Sequence, residues 1–352
     1  MKINQLETPV LTLDLDILEE NFRRMDQMLS GTNMRLRPHY KSHKCAWIAR
    51  RQMENGAKGI TCAKLGEAED LAQAGIPDIL IANQVVTPSK ISRLAALAGK
   101  CRLSVCVDDI ENIRNLGTEA ALAGNTIHIL IEYDIGMKRC GVRTKEEVLA
   151  LAHAVMEEKY LSLDGIQAYA GHLAHERNFD IRSSQSDLIE EDLRSLLAWL
   201  RENGIEIREV SGTSTGTAAL RKKDSVYTEI QAGSYIFMDA AYAPLKPGFA
   251  HALHMQTTVV STACGRVVVD AGIKSCGVDQ GPPICVEYPA AEINLSEEHM
   301  DFAAENLPPV GSRLTLIPGH CCTTVNLHDK IYLVRGEDVV DCIPVTSRGK
   351  CI

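Results

Sequence analysis

Five short stretches of the chain combine proton-active, nucleophilic or metal-binding side chains with turn residues. PHYKSHK, Pro38–Lys44, puts two histidines and two lysines directly after the alternating run Met34–Arg37. A lysine becomes reactive near neutral pH when burial or neighbouring cations lower its pKa. Arg37, His39, His43 and Lys44 are the cations available to Lys41 if they point inward. A lysine so tuned is the usual partner of a carbonyl, as a Schiff base. The plainer alternative is a solvated basic loop. EYDIGMKRCGV, Glu132–Val142, ends a strand-like run in a carboxylate, a glycine turn and Arg139, or is an ordinary turn with a surface arginine. QAYAGHLAH, Gln167–His175, offers Tyr169 and two histidines for acid–base work, although a single histidine is more often a surface group. SGTSTGT, Ser211–Thr217, has the small residues that expose backbone N–H groups to a phosphate, and a flexible linker has a similar composition. PGHCCTTVNLHD, Pro318–Asp329, spaces His320 and Cys322 so that an extended strand points both to one face. Imidazole with thiolate suits zinc, and two ligands suit an open catalytic ion better than a closed structural one. The alternative is a buried cysteine beside an unrelated histidine.

The elements that must position these residues follow a regular alternation to about residue 240. Strand-like runs such as GITCAK, DILIAN, RLSVCVDD and TIHILIEYD each precede a helical pattern, with glycines at Gly75, Gly99, Gly124 and Gly204 placed as helix ends. Pro88 and Ser89 are placed as a helix start. Repeated strand–helix units imply a parallel sheet, and about eight of them favour a closed barrel, whose functional groups stand at strand C-terminal ends. On that basis Lys41 and His43 stand at the barrel mouth, and Lys44 begins the following helix. After Pro244 the runs are strand-like with few helical windows, and Gly336-Glu337-Asp338 reads as a hairpin turn. The prediction is an α/β chain: a (βα)8 TIM-like barrel over residues 15–243 and a mostly β C-terminal domain of residues 244–352. Residues 1–14, whose run TPVLTLDLD suits either part, are assigned to the β domain.

Composition narrows the partners. A net charge of -9 argues against a nucleic-acid binder, yet leaves room for a local basic pocket. No apolar run is long enough to span a bilayer, and acidic residues occupy the place of a signal peptide's apolar core. Twelve scattered cysteines without CxxC spacing read as reduced thiols, so a cytoplasmic location is expected.

RPHYKSHK, EYDIGMKRCGV, GIQAYAGHLAH, SGTSTGT, YTEIQAGSYIFMDAAY, VVVDAGIKS and GHCCTTVNLHD, in this order, resemble the motifs of a fold-type III pyridoxal-phosphate-dependent family. That family contains D-threonine aldolase, 3-hydroxy-D-aspartate aldolase and eukaryotic-type D-serine dehydratase, and is more distantly similar to alanine racemase. The resemblance covers essentially the full length. It implies that the barrel binds pyridoxal 5'-phosphate and that the β domain carries the ligands of a divalent metal, zinc or manganese. Lys41 resembles the lysine that holds the cofactor, and Arg139 the arginine facing the pyridine's phenolic oxygen. Gly216 and Thr217, with Gly233 and Ser234, resemble the phosphate cradle, and Gln167, Tyr169, Thr215 and Tyr235 fall in the same cofactor-binding set. Tyr169 and His175 resemble the pocket tyrosine and histidine, the histidine taking the proton of a substrate β-hydroxyl. His320 and Cys322 resemble the metal ligands. In the aldolase pattern an aspartate usually stands where this chain has Cys322, and histidine with cysteine is more similar to the zinc site of the dehydratases. TVNLHD and YTEIQAGSYIFMDAAY are more similar to the aldolases. The implied activity is a lyase on 3-hydroxy-D-amino acids, releasing glycine and an aldehyde. Dehydration of D-serine or 3-hydroxy-D-aspartate is the second expectation; racemisation and a non-catalytic cofactor carrier follow. The family also implies a homodimer. His39, His43 and Cys321 receive no role.

Overall fold

The alternation of strand and helix is realised in the computed structural model, which describes residues 1–352. After β1 (Val10–Asp14) and α1 (Leu15–Leu29) come β2 (Arg35–Leu36), α2 (Ala46–Glu54), β3 (Ile60–Cys62), α3 (Leu65–Gln73), β4 (Asp78–Gln84), α4 (Pro88–Leu97), β5 (Arg102–Val107), α5 (Ile110–Ala123), β6 (Ile127–Glu132), α6 (Lys145–Glu157), β7 (Leu161–Ala168), α7 (Phe179–Glu202), β8 (Glu209–Gly212) and β9 (Glu229–Ile230). Local chemistry sets the helix ends. Asp109 caps α5 by accepting from Asn112 N–H, and Gly124 closes it at φ 67°. Thr144 and Glu147 form a reciprocal capping box on α6. Both helices bury one face, Ile113, Leu116 and Ala120 on α5 and Val148, Leu151 and Val155 on α6.

Contacts divide the chain into two units: residues 28–40, 48–233 and 350–352, and residues 1–27, 41–47 and 234–349. The first holds an eight-stranded sheet in the order β2-β9-β8-β7-β6-β5-β4-β3, every neighbouring pair parallel. A parallel bridge from His39 to Thr61 brings the continuation of β2 back against β3, with Thr61 N–H bonded to Pro38 C=O at 2.9 Å. The ring of a TIM-like barrel closes there. Between β7 and β8 the backbones approach so closely that a Cβ on Gly212 would lie 2.0 Å from Ala168 O.

An ionic belt crosses the N-terminal ends of these strands. The buried Arg37 bonds Asp78 at 2.7 and 3.2 Å and Glu229 at 2.9 Å. Lys58 reaches Glu229 at 2.6 Å and also Glu209. Arg102 joins Asp78 to Asp164, and His128 bonds Asp164 at 3.1 Å. A closed ring at this end serves stability, since chemistry in such barrels occupies the other end.

The second unit is built on an antiparallel-rich sheet. Its further elements are β10 (Leu253–Ser261), β11 (Arg266–Val269), β12 (Ile284–Cys285), β13 (Asn294–Leu295), β14 (Met300–Ala303), β15 (Arg313–Ile317), α8 (Cys321–Val325), β16 (Lys330–Arg335) and β17 (Asp338–Pro344). The main order is β13-β14-β11-β10-β1-β16-β17, and β15 pairs with β10 and β12. β1 thus belongs to this sheet, antiparallel to β10 and parallel to β16. Gly336, at φ 54°, turns the β16–β17 hairpin. α1 groups here because Asn21 is bonded on both sides of its amide, to Ile236 C=O, Ala250 C=O and Ala250 N–H. Residues 41–47 group here because the backbone of 44–46 is clamped from far along the chain. Ser347 N–H donates to Lys44 C=O at 2.9 Å, and Ala46 N–H to Thr346 Oγ1 at 3.0 Å. Lys44 therefore does not begin a helix. It sits buried at φ 49°, two residues before α2.

Candidate functional site

In the barrel unit, candidate residues gather after the strand C-terminal ends. The loop after β8 is ordered by its own hydroxyls. Ser214 N–H donates to Thr217 Oγ1 at 3.0 Å, and Thr217 and Ala218 N–H return to Ser214 C=O at 3.1 and 2.9 Å. Thr213 is held at φ 69°, an uncommon conformation for a β-branched residue. Thr215, Gly216 and Thr217 are all buried, and Thr215 Oγ1 has no hydrogen-bond partner. A buried hydroxyl without a partner is costly unless a ligand satisfies it. A phosphate oxygen is an acceptor suited to it, so the loop fits the phosphate of the expected cofactor.

Gln167, at the end of β7, forms a reciprocal amide pair with Gln231, and Gln231 also donates to Ser211 Oγ at 2.9 Å. Gly233 lies buried two residues beyond Gln231. Tyr169 and His175 are half-buried in the segment after β7. Arg139 stands on the exposed loop after β6, and its charge acts on Glu132 and Cys140. Burial pushes the Glu132 carboxyl up; Gln84, bonded at 2.5 Å, and Arg139 oppose that shift.

In the other unit, Lys41 is half-buried in a short helical turn, Tyr40–Ser42. Cys322 Sγ lies 3.5 Å from Ser42 Oγ, 3.9 Å from Ser234 Oγ and 4.0 Å from Cys321 Sγ. The Cys321 thiol is the largest influence on Cys322. With His320 and the charge of Lys41, it holds Cys322 well below the ordinary thiol range despite burial. Cys321 is displaced upward in return, so it keeps the proton. His320 Nδ1–H donates to Asp279 Oδ2 at 2.7 Å, and the ring also contacts Cys322. Burial would lower its pKa, but these two partners push it up to about 9.

The backbone around this pair departs from the extended strand expected of it. His320 is extended, but Cys322 lies in α8, a single helical turn. Thr324 N–H and Oγ1 both bond His320 C=O, and Cys321 N–H donates to Asp239 at 2.9 Å, so side chains outweigh the strand preference of the Thr-Thr-Val run. The two donors still meet, through a turn.

Tyr235 is fully buried, 5.6 Å from the Phe249 ring and 6.3 Å from Phe22. His43 is likewise fully buried, accepting from Cys45 N–H and lying edge-on to Phe237. Both rings lie against aromatic neighbours in the interior. Sequence reasoning missed Asp279, Gln231 and Gln84. Gln231 lay within a quoted motif as an ordinary polar residue; Asp279 and Gln84 lay between motifs, with no local pattern to mark them.

The groups available are therefore a lysine in a short turn, a cysteine–histidine pair, and a buried hydroxyl-rich loop fit for phosphate. No group of three or more His, Cys, Asp or Glu side chains is arranged around a common metal position. The donor set fits an ion that takes two protein ligands and leaves positions for substrate or water.

The sequence profile of the alanine racemase N-terminal domain matches residues 13–241, and that of a putative serine dehydratase domain matches residues 252–334. The chain is similar to a D-threonine aldolase of Arthrobacter sp, 38% identical with 98% of this chain and 93% of that protein covered. It is similar to a 3-hydroxy-D-aspartate aldolase of Paracoccus denitrificans, 37% identical over 99% and 94%. Among solved structures, D-threonine aldolase from Filomicrobium marinum superposes with a TM-score of 0.97 at 39% identity, covering 100% of this chain and 98% of that one.

Proposed function

Because the chain belongs to the alanine racemase N-terminal domain family, with a serine-dehydratase-type domain behind it, we propose that it is a pyridoxal-phosphate- and metal-dependent lyase. Its substrates are 3-hydroxy-D-amino acids, cleaved between Cα and Cβ to glycine and an aldehyde. The observation that carries this is geometric: the Cys322 sulfur, in contact with His320, lies 3.5 Å from the hydroxyl of Ser42, the residue next to Lys41. That sulfur, with His320, suits a divalent metal. Lys41 would hold the cofactor, with Thr215, Gly216, Thr217, Gly233 and Ser234 at its phosphate and Arg139 at its phenolic oxygen. Bound there, the pyridine ring supplies an electron sink for charge at Cα. His320 and Cys322 would hold the metal, a Lewis acid for the β-hydroxyl. His175 takes the β-hydroxyl proton, with Tyr169 beside it, and loss of that proton is what lets the Cα–Cβ bond break.

Dehydration is favoured by one observation, a cysteine sulfur beside His320, because sulfur selects zinc. In that reaction Lys41 removes the Cα proton and the hydroxyl leaves. Incubating the protein, supplied with pyridoxal phosphate and zinc or manganese, with D-threonine, D-serine and 3-hydroxy-D-aspartate separates the two. Glycine with an aldehyde supports the aldolase; a keto acid and ammonia with no aldehyde replaces it with the dehydratase. No helix is long and apolar enough to cross a membrane. Twelve free thiols, with Cys264, Cys342 and Cys351 exposed, support a reducing compartment, the cytoplasm. The working form we propose is a homodimer, and sedimentation at the 38.6 kDa monomer mass counts against it.

A further inference from the structure

We propose that Asp279 is a positioning residue for the metal, fixing the His320 ring so that its other nitrogen, Nε2, is presented beside the Cys322 sulfur. This rests on the metal-binding part of the proposed function. Asp279 Oδ2 takes Nδ1 of His320 at 2.7 Å, and Oδ1 accepts from Thr323 Oγ1 at 2.6 Å. Both carboxylate oxygens are engaged, so the side chain cannot swing without losing a bond on each side. With Nδ1 committed, the contact between the His320 ring and Cys322 falls to Nε2. A carboxylate on the far nitrogen of a ligand histidine fixes tautomer and orientation and makes the ligand more basic.

The backbone is built to hold this arrangement. His320 N–H donates to Gly277 C=O at 3.2 Å, and Gly277 N–H donates to Thr324 Oγ1 at 2.9 Å. These bonds staple the segment carrying Asp279 to the turn carrying both proposed ligands. The approach needs glycine on both sides. A Cβ on Gly277 would lie 2.0 Å from Thr323 Oγ1, and one on Gly319 would lie 2.1 Å from Gly281 O. Two strands of loop are thus drawn together at glycines, and the carboxylate–imidazole pair spans them.

The test is divalent-metal affinity, measured on the full-length, cofactor-loaded protein by competition of zinc and manganese against a chromogenic chelator. Asp279→Asn keeps the size and removes the charge; Thr323→Val leaves the carboxylate but removes its second anchor. The expected result is about a 10- to 100-fold weaker metal for Asp279→Asn and a smaller loss for Thr323→Val. Asp279→Glu is expected to recover part of the affinity. The visible absorbance of the bound cofactor and the melting temperature are expected to stay at wild-type values, which a merely structural residue would not allow alongside lost metal. Metal affinity of Asp279→Asn within twofold of wild type overturns the role of Asp279 alone. Wild-type protein that takes up neither ion overturns both this role and the metal-dependent function. If Asp279→Asn does not fold, an unchanged affinity in Thr323→Val overturns the positioning role.

Discussion

Replacing Arg37 with methionine removes the central cation of the ionic belt while keeping most of the side chain's length. The Arg37 side chain is 2% exposed and that of Glu229 1%. Without the arginine, Lys58 at 2.6 Å is the cation left to Glu229, and Arg102 at 3.7 Å the one left to Asp78. Stripping one partner from a buried pair costs about 3–5 kcal/mol. A second route gives a similar size. Burial would raise the Glu229 carboxyl, yet Arg37, with further bonds from Glu209 and Lys58, holds it at about 2 instead of 4.5. That displacement corresponds to about 3 kcal/mol. At about 2–4 °C per kcal/mol, Arg37→Met melts about 6–12 °C below wild type near neutral pH. The sign of the pH dependence follows from the direction of the shift. A depressed carboxyl contributes fully above its unfolded value of 4.5, and the contribution is lost as pH falls toward 2. Glu209 is pushed the other way by burial and by Glu229. Thermal melts by circular dichroism, taken between about pH 8 and pH 3, read both features. The gap between the two proteins stays constant down to about pH 5 and narrows below it. A gap under about 2 °C at neutral pH, or one that does not narrow in acid, refutes the reasoning.

Two other substitutions probe the barrel. Thr215→Val removes a buried hydroxyl that has no partner in the protein; equilibrium dialysis should show pyridoxal phosphate held about 10-fold more weakly, with the cofactor-free protein no less stable. Equal retention of the cofactor would detach Thr215 from the phosphate. Gly212→Ala drives a Cβ to 2.0 Å from Ala168 O, a backbone atom that cannot turn aside. A loss of about 1–3 kcal/mol is expected in urea unfolding, and a wild-type midpoint would show that β7 and β8 can separate at no cost.

The barrel was legible because its signal is repeated. Each helix shows its own period, and glycines such as Gly75, Gly124 and Gly204 do take the left-handed conformation at helix ends. The β1 run was ambiguous, since an alternating pattern fits either sheet; pairing partners some 240 and some 320 residues away decided it. Of the candidate site, the residue types were readable and their backbone was not. Lys44 looked like a helix start because Cys45–Asn55 has a helical pattern, but the clamp from residues 346 and 347 forbids one there. His320 and Cys322 looked like alternate positions of a strand, whereas Thr324 and Asp239 wind that segment into a turn. Asp279 was invisible because its meaning comes from a histidine 41 residues on. Hydrogen bonds between distant segments leave no local periodicity to read.

The clamp on residues 44–46 also bears on how the protein is made. The bond from Ala46 to Thr346 spans 300 residues of sequence. At about 5–20 residues per second, a ribosome needs roughly 15–60 s to cover that distance. For all of that time the segment carrying Lys41 is outside the ribosome without the contacts that shape it. Strands β3 to β9 can pair as they emerge, since their neighbours follow closely in sequence, whereas β2 waits for β9. The lysine proposed to capture the cofactor, encoded near the start, is therefore among the last parts of the protein to reach its final geometry.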